Sequence, residues 1–281
     1  MSRATQHDRP SRLVTVARVL LLLLIALPLL IAFSAAFRTK TDLLLSGSSL
    51  SWRTFLPDNP TLDNLAAVLG LGTFRRQLLN TVAFSGAQAT LSAVVSLLAG
   101  YAFARCRLPG RRLLFGVLVA SAFLPITVIL LPMYLTVRDL GLLGTGWALT
   151  LPFAFSPIGM FLVRQAVLDL PRSLEEAVFV DGGGLPRVLW NVVLPGCRAA
   201  VVTVWVFSFL GAFNQFLWPL VNSQDPNRQF VQVGIAGFFT NQVPDYERIF
   251  AASAITALPV IALFLVAQRY YAQSLASTGM K

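Results

Sequence analysis

The residues best suited to act on a partner lie in one charged segment between two apolar blocks. Glu175 and Glu176 precede four apolar residues, and Asp181 comes just before three consecutive glycines. Acids in the first turn of a helix face the positive end of its dipole, and glycine is common just after a helix ends. The segment is therefore predicted to be a short helix, capped by Ser173, whose small apolar patch is edged by acids.

The glycines at 182–184 allow the chain to reverse into a second short helix, expected from Leu185 to Val193. Taken alone, this pattern fits two structures. One is a protruding knob that docks into a protein partner, and the other is an amphipathic loop that lies on a membrane surface.

Groups for catalysis are scarce. His7 is the only histidine, so a Ser–His hydrolase lacks its base and a histidine metal site lacks its ligands. The phosphate-binding pattern Gly-x4-Gly-Lys-Ser/Thr does not occur in the sequence. The chain is therefore predicted to have no catalytic residues, no metal and no cofactor, and not to hydrolyse ATP itself.

The composition requires a membrane. The 281 residues are 56% hydrophobic and 12% charged, with a mean hydropathy of +0.71. A helix crosses a bilayer core of about 30 Å with about 20 apolar residues, and the apolar runs here are continuous instead of alternating as in a barrel. The fold class is predicted to be all-α, a polytopic membrane protein with six transmembrane helices. They occupy six uncharged windows, at 19–37, 77–104, 113–137, 140–163, 199–224 and 249–268.

Arginine placement predicts the orientation. Four arginines crowd the connection at 105–112, whereas the next connection has only Arg138, beside Asp139. Short loops rich in Arg and Lys stay in the cytoplasm, so the connection at 105–112 and both termini are placed inside. The predicted parts are a cytoplasmic tail at 1–18, a first transmembrane helix at 19–37, an extracytoplasmic segment at 38–76, a five-helix domain at 77–268 with a cytoplasmic loop at 164–198 and an extracytoplasmic loop at 222–248, and a cytoplasmic tail at 269–281.

The net charge of +10 follows from this topology and favours contact with anionic membrane lipid over nucleic acid. The first window could instead be a cleaved signal, because small residues follow at 34–36. It is longer than the about 7–15 apolar residues of a signal peptide, so it is interpreted as an uncleaved anchor.

Polar groups within the windows are uncharged, which disfavours an ion-driven carrier. Asn214 and Gln215 stand out because Phe213 and Trp218 lie close by in the sequence. Aromatic faces beside amide groups suit an uncharged polar solute such as a sugar. The same aromatics also fit an interfacial belt at the end of a span. These four residues form a possible substrate pathway.

Spacing beyond the glycines distinguishes the two interpretations of the charged segment. Glu176-Ala177-Val178, three residues, Gly182, nine residues and then Val192-x-Leu194-Pro195 resembles the Glu-Ala-Ala loop of ABC importer permeases, Glu-Ala-Ala-x3-Gly-x9-Ile-x-Leu-Pro. Val178 departs from the family's alanine. Further matches in order resemble the carbohydrate, maltose-type branch of these permeases, including Leu79-Asn80-Thr81, Tyr101-Ala102-Phe103-Ala104-Arg105, Leu108-Pro109-Gly110, Phe213-Asn214-Gln215-Phe216 and Gln268-Arg269-Tyr270-Tyr271.

The resemblance implies an ABC type-1 importer permease fold in the bacterial inner membrane. It also implies a cytoplasmic ABC ATPase dimer, a second homologous permease subunit, an extracytoplasmic solute-binding protein and a sugar substrate. The segment from Asn222 to Glu247 would reach toward the binding protein. The ATPase-coupling residues implied by the resemblance are Glu176, Ala177, Val178, Asp181, Gly182, Leu194 and Pro195.

Two other functions stay open. The same branch carries glycerol phosphate and other polar solutes, and a non-transporting membrane scaffold would also need six spans without catalytic groups. The sequence names neither the sugar nor the second permease, which is either a different chain or another copy of this one.

Overall fold

The computed structural model describes residues 12–46, 55–57, 59–239 and 244–278. These residues are mostly helical and contain no β-strand, which confirms the all-α prediction. Of the predicted cytoplasmic tails, residues 1–11 and 279–281 lie outside the described residues. The α-helices are α1 (Arg12–Ala35), α2 (Lys40–Ser46), α3 (Asp63–Gly70), α4 (Gly72–Arg105), α5 (Arg111–Ala120), α6 (Ile126–Asp139), α7 (Gly146–Thr150), α8 (Pro157–Leu168), α9 (Arg172–Val180), α10 (Leu185–Val188), α11 (Leu194–Gly196), α12 (Arg198–Phe213), α13 (Leu217–Asn222), α14 (Val231–Gly237) and α15 (Tyr246–Thr278).

Three helices are long and apolar enough to cross a bilayer on their own. They are α1 from Val14, α4, and α15 as far as Gln268. Three further helix pairs pass the same test only when each bent pair is counted as one span, which gives up to six spans. The six-span count and the cytoplasmic position of both termini therefore stay predictions.

Two of the uncharged windows are not continuous helices, and each is interrupted at a proline. The window at 113–137 breaks at Pro125, where the chain bends by 104° between the helical segment that contains α5 and helix α6. Proline has no N–H and forces the preceding residue into an extended conformation, as Leu124 adopts with ψ 121°. The window at 140–163 breaks before Pro157, the first residue of α8, with a bend of 50°.

The fifth window, at 199–224, is also interrupted. Helix α12 ends at Phe213, and α13 begins only at Leu217. By contrast, the windows at 77–104 and 249–268 lie entirely within α4 and α15. Both helices are longer than their uncharged windows, because the end of an apolar stretch does not by itself end a helix.

The described residues form two compact units. The smaller one contains the chain up to Leu71 together with Gly237–Ile255, and the larger one contains Gly72–Ala236 and the chain from Thr256. In the smaller unit, Asn64 Nδ2 donates a hydrogen bond to the Arg38 carbonyl at 2.7 Å, and the Thr61 N–H donates to the Phe37 carbonyl at 2.9 Å. These bonds hold α3 beside the end of α1.

Helix α4 is the centre of the larger unit and packs along α8 and α12. Small residues make this possible, because they let helix backbones approach closely. A Cβ atom on Gly100 would lie 2.8 Å from the Val163 Cβ, and one on Gly159 would lie 2.5 Å from the Ser96 Oγ. Ser208 donates a hydrogen bond to Ser92 across the α4–α12 contact at 3.1 Å.

The two ends of α4 hold different parts of the chain. At its N-terminal end, Asn80 Nδ2 donates to the Asn227 carbonyl at 2.7 Å, and the Val231 N–H donates to Thr81 Oγ1 at 2.8 Å. At its C-terminal end, Arg105 reaches Glu175 of α9. At about 1.5 Å per residue, the stretch of α4 from Asn80 to Arg105 separates these two groups by roughly 37 Å.

Candidate functional site

Helix α9 is the short helix that the charged segment predicts. It begins at Arg172 directly after Pro171, whose φ of −60° and ψ of 130° are extended. The predicted cap at Ser173 is wrong, because Ser173 already lies inside the first turn and no side chain caps this helix. The proline takes the capping position instead, since its fixed φ suits the entry to a helix and its carbonyl accepts a hydrogen bond from the Leu174 N–H at 3.3 Å.

The end of α9 depends on glycine, as predicted. Gly182 has a φ of +73°, and its N–H donates to the Phe179 carbonyl at 3.0 Å. The next residue, Gly183, donates to the Val178 carbonyl at 2.8 Å. This left-handed glycine and its pair of bonds are typical of helix ends that reverse the chain. Gly183 is needed for a different reason, since its Cβ would lie 2.6 Å from a Val178 methyl.

Most of the predicted coupling residues share one exposed surface. Glu176, Ala177, Asp181 and Gly182 are exposed, and Val178 is half-buried. The same helix also exposes large apolar side chains: Leu174 is 49% exposed, Phe179 51% and Val180 87%. Isolated apolar residues on a surface are ordinary, but three on a nine-residue helix make a patch.

The remaining two predicted coupling residues lie in a separate element. After α10, a π-helical turn spans Leu189–Val193, and Leu194 and Pro195 follow in α11. Leu194 is half-buried and Pro195 is exposed. The reversal expected after the glycines is present, and the predicted second helix from Leu185 to Val193 is formed by α10 and the π-helical turn, which continue without a break into α11.

Helix α9 also carries a buried acid, Glu175, which is not among the coupling residues predicted from the sequence. Arg105 Nε donates to Glu175 Oε1 at 2.6 Å, and the two side chains are only 9% and 8% exposed. Tyr101 donates its hydroxyl to Glu175 Oε2 at 3.2 Å. Arg105 also donates from Nη2 to the Leu170 carbonyl at 2.7 Å. One acid on α9 is thus bound through both oxygens to the end of α4.

Apolar packing surrounds this ion pair. Tyr101 and Ala104 of α4 form a buried cluster with Val163 and Val167 of α8, and Val178 of α9 packs against it. The C-terminal half of α8 is fixed by Arg164, whose guanidinium lies 4.5 Å from the centre of the Phe115 ring and whose Nε donates to the Phe103 carbonyl. Helix α9 therefore rests on a rigid base formed by α4 and α8.

The sequence does contain a signal for the omitted residues. Tyr101 and Arg105 are four residues apart, so they project from one face of a helix. An arginine at the end of an uncharged run needs a partner when it is buried, and acids near a helix start are the available ones. Only the structure identifies Glu175, instead of Glu176, as that partner.

The predicted pathway residues have different surroundings. Phe213 is buried and stacks on Phe209 with ring centroids 5.7 Å apart. Trp218 is buried, and its Nε1 donates to the Ala148 carbonyl at 2.8 Å. Asn214 is exposed and donates from Nδ2 to the Leu210 carbonyl at 2.8 Å. Gln215 is half-buried, and its Oε1 is enclosed without a hydrogen-bond partner among the described residues.

These four residues therefore divide into two kinds. Phe213 and Trp218 are packing residues in the structure, whereas Asn214 and Gln215 lie within the break between α12 and α13 and keep polar atoms available. Over the described residues, no group of three or more His, Cys, Asp or Glu side chains is placed to hold a metal ion.

Comparisons with known proteins agree on one family. The family model described as "Binding-protein-dependent transport system inner membrane component" matches residues 93–277. The diacetylchitobiose uptake system permease protein NgcG of Streptomyces coelicolor is 31% identical over 96% of this chain and 89% of its own length. The arabinooligosaccharides transport system permease protein AraQ of Halalkalibacterium halodurans is 29% identical over 96% of both chains.

A third relative transports a phosphorylated solute. The sn-glycerol-3-phosphate transport system permease protein UgpE of Yersinia pestis is 30% identical over 90% of this chain and 91% of its own. Among solved structures, a chain of a bacterial ABC transporter involved in the import of the acidic polysaccharide alginate has the same fold. Its TM-score is 0.81 at 21% identity, over 96% of this chain and 100% of that one.

Proposed function

Because the chain belongs to the family of inner membrane components of binding-protein-dependent transport systems, we propose that it imports a sugar or an oligosaccharide and is driven through α9. Members of this family are permease subunits of ABC importers and are not enzymes themselves. The chain is accordingly a multi-pass protein of the bacterial plasma membrane. Such an importer needs an ATPase and an extracytoplasmic solute-binding protein as partners.

One observation carries the role of α9. This helix exposes the large apolar side chains of Leu174, Phe179 and Val180, while its Glu175 is buried against α4. A side chain such as Val180, at 87% exposure, is stabilised only when a partner covers it. The patch is edged by Glu176 and Asp181, and these acids would be repelled by an anionic membrane surface. A cleft in a protein partner fits better, and the cytoplasmic ATPase dimer is that partner.

The mechanism follows from this placement. When nucleotide closes the ATPase dimer, the cleft that holds α9 moves, and α9 moves with it as a rigid body. The chain itself supplies no chemical step. Its part is to convert this displacement into a change in access to the pathway, from one side of the membrane to the other.

The solute class is inferred from the relatives and from the charges. Two of the three relatives described above transport oligosaccharides. The six uncharged windows contain no Arg, Lys, Asp, Glu or His, so they offer no fixed cation to a phosphate or carboxylate. A neutral polar solute therefore fits better than glycerol 3-phosphate, which the third relative carries.

The rest of the importer is assigned by the same reasoning. A second permease subunit is proposed to complete the pathway with this chain, as the family resemblance implies. The segment from Asn222 to Glu247 is proposed to face the solute-binding protein. Residues 240–243 of this segment lie outside the described residues. Within this segment, Asn227 and Val231 are held at the end of α4 opposite to α9, by bonds to Asn80 and Thr81.

Substitution of Gly182 tests the role of α9. At a φ of +73°, a β-branched side chain is strained, and about 1–2 kcal/mol is the cost of this conformation for an L-residue. We expect Gly182→Val to lower sugar uptake about tenfold, which corresponds to about 1.4 kcal/mol. Gly182→Asn should retain uptake, because asparagine tolerates the left-handed region. Radiolabelled sugar uptake in cells with equal amounts of membrane-inserted protein measures both.

Gly141 provides the matched control. It has a φ of +69°, and its missing Cβ would also point into open space, but it lies just after α6 and away from α9. Gly141→Val introduces the same backbone strain at a site that does not contact the ATPase. Equal uptake in the Gly141 and Gly182 valine variants, or an ATPase that does not copurify with the wild-type chain, would overturn the assignment.

A further inference from the structure

We propose that the buried Arg105–Glu175 ion pair, together with Tyr101, is the rigid link that transmits movement of α9 to the transmembrane helix α4. This inference rests on the proposed docking of α9 to the ATPase. It assigns a positioning role to three residues that the Glu-Ala-Ala spacing does not include. Docking explains how the ATPase moves α9, and the ion pair explains how α9 moves α4.

The contacts connect three parts of the chain at one point. The Glu175 carboxylate accepts from Arg105 Nε at 2.6 Å on one oxygen and from the Tyr101 hydroxyl at 3.2 Å on the other. Arg105 also donates from Nη2 to the carbonyl of Leu170, in the connection between α8 and α9. Helix α9 is therefore fixed in direction as well as in position.

Burial makes this link stiff. Charge-assisted hydrogen bonds are shorter and stronger than neutral ones, and water does not screen a pair whose side chains are 9% and 8% exposed. Separating the pair would leave an unpaired charge in an apolar surrounding, which is strongly unfavourable. The exposed pair Arg138–Asp139 has a similar length of 2.8 Å but is 55% and 66% exposed, and pairs of that kind hold little.

Apolar packing alone would not make the link between α9 and α4 stiff. Val178 touches the cluster beneath α9, but such contacts have no preferred direction, so a helix held only by them can tilt or slide. The ion pair fixes the angle between α9 and α4. From there the movement passes to α8, because Val163 and the Arg164 backbone lie against Gly100 too closely to slip.

The test separates binding of the ATPase from transmission of its movement. The whole importer, with its ATPase and binding protein, is purified and reconstituted in liposomes, and sugar uptake is divided by ATP hydrolysed. We expect Glu175→Gln to copurify with the ATPase at the wild-type ratio, because the exposed face of α9 is unchanged. Uptake per ATP should fall about tenfold, within the range of coupling between distant sites. Tyr101→Phe, which keeps the ion pair, should cause a smaller fall.

A double variant distinguishes transmission from folding. Arg105→Gln combined with Glu175→Gln leaves no unpaired charge, so its thermal stability in detergent should recover toward that of the wild type. Its uptake per ATP should stay low, because the charge-assisted bonds and the contact with Leu170 are missing. Asp139→Asn removes the exposed ion pair and should change neither quantity.

Each outcome bears on one of the two proposals. If the ATPase does not copurify with the wild-type chain, the proposed function of α9 fails. If the ATPase copurifies and the Glu175→Gln variant has wild-type uptake per ATP, the link is overturned while docking stands. The link is also overturned if the double variant recovers both its thermal stability and its full uptake per ATP. That variant decides the matter if Glu175→Gln does not insert.

Discussion

Asn214 and Gln215 are adjacent in the sequence, yet they differ in what they offer a solute. Asn214 uses its amide to bond the Leu210 carbonyl at the end of α12, which leaves its side-chain oxygen available. Gln215 has a buried side-chain oxygen with no partner in the described part of the chain. A buried acceptor without a donor is costly, and a hydroxyl from a passing sugar would satisfy it.

We therefore predict that Gln215→Ala weakens the apparent affinity of sugar uptake more than Asn214→Ala does. One hydrogen bond is worth about 0.5–1.5 kcal/mol, so the expected change for Gln215→Ala is about two- to tenfold. Uptake of a labelled oligosaccharide over a range of concentrations measures it, with glycerol 3-phosphate as a competitor that should have no effect.

Gln165→Ala is the control for this pair, because Gln165 is exposed on α8 and lies outside the uncharged windows. It should leave affinity and maximal uptake unchanged. If Asn214→Ala and Gln215→Ala are equally silent, the two residues lie outside the pathway, and the aromatics around them form an interfacial belt.

Single residues also mark how far the sequence can be interpreted. The short helix, its glycine end and its apolar patch follow from local rules, and the structure contains all three. Glu175 could not be chosen over Glu176, because its partner Arg105 lies 70 positions earlier and only the packing of α9 on α4 brings them together. Ser173 failed as a cap because Pro171 occupies that position.

The helices show the same division. Apolar length predicts α4 and α15 correctly, since both continue through their uncharged windows without an internal break. Proline marks positions where a span can kink or break, but the sequence does not say which prolines do so: the chain bends at Pro125 and before Pro157, whereas Pro132 and Pro259 lie inside unbroken helices. Whether a proline breaks a helix depends on what replaces the lost hydrogen bond, and neighbouring helices decide that.

Close packing of α4 leads to a prediction about its glycines. A Cβ on Gly100 would lie 2.8 Å from the Val163 Cβ and 2.9 Å from the Arg164 backbone nitrogen, which cannot move aside. We expect Gly100→Ala to destabilise the protein by about 1–3 kcal/mol, as overpacking does. Thermal unfolding of the purified chain in detergent should show a lower Tm.

Gly86 of the same helix serves as the control, because its missing Cβ would meet nothing within 4 Å. Gly86→Ala should keep or raise the Tm, since alanine is favoured over glycine in a helix by about 1 kcal/mol. A similar Tm for the two alanine variants would mean that α4 and α8 are not in close contact at Gly100.

The larger unit is organised around α4. Its N-terminal end holds Asn227 and Val231, and its C-terminal end holds Glu175. The Gly144 carbonyl accepts from Arg228 at 3.0 Å, so the connection after α6 lies at the N-terminal end as well. The stretch of α4 between these anchoring residues is roughly 37 Å long, which exceeds the about 30 Å of a bilayer core and can place the groups on opposite sides. The orientation predicted from the arginines, which puts the end at Arg105 in the cytoplasm, stays a prediction.

Cysteine labelling tests that orientation and the number of spans together. In a chain with Cys106→Ser and Cys197→Ala, single cysteines replace the exposed residues Arg107, Asp139 and Asn227. A membrane-impermeant maleimide should label Asp139→Cys and Asn227→Cys in intact right-side-out cells, and Arg107→Cys only after permeabilisation, because Arg107 lies among the arginines that stay inside. If Asp139→Cys is instead labelled only after permeabilisation, the pair α5 and α6, bent by 104°, re-enters the side it came from, and the chain has fewer than six spans.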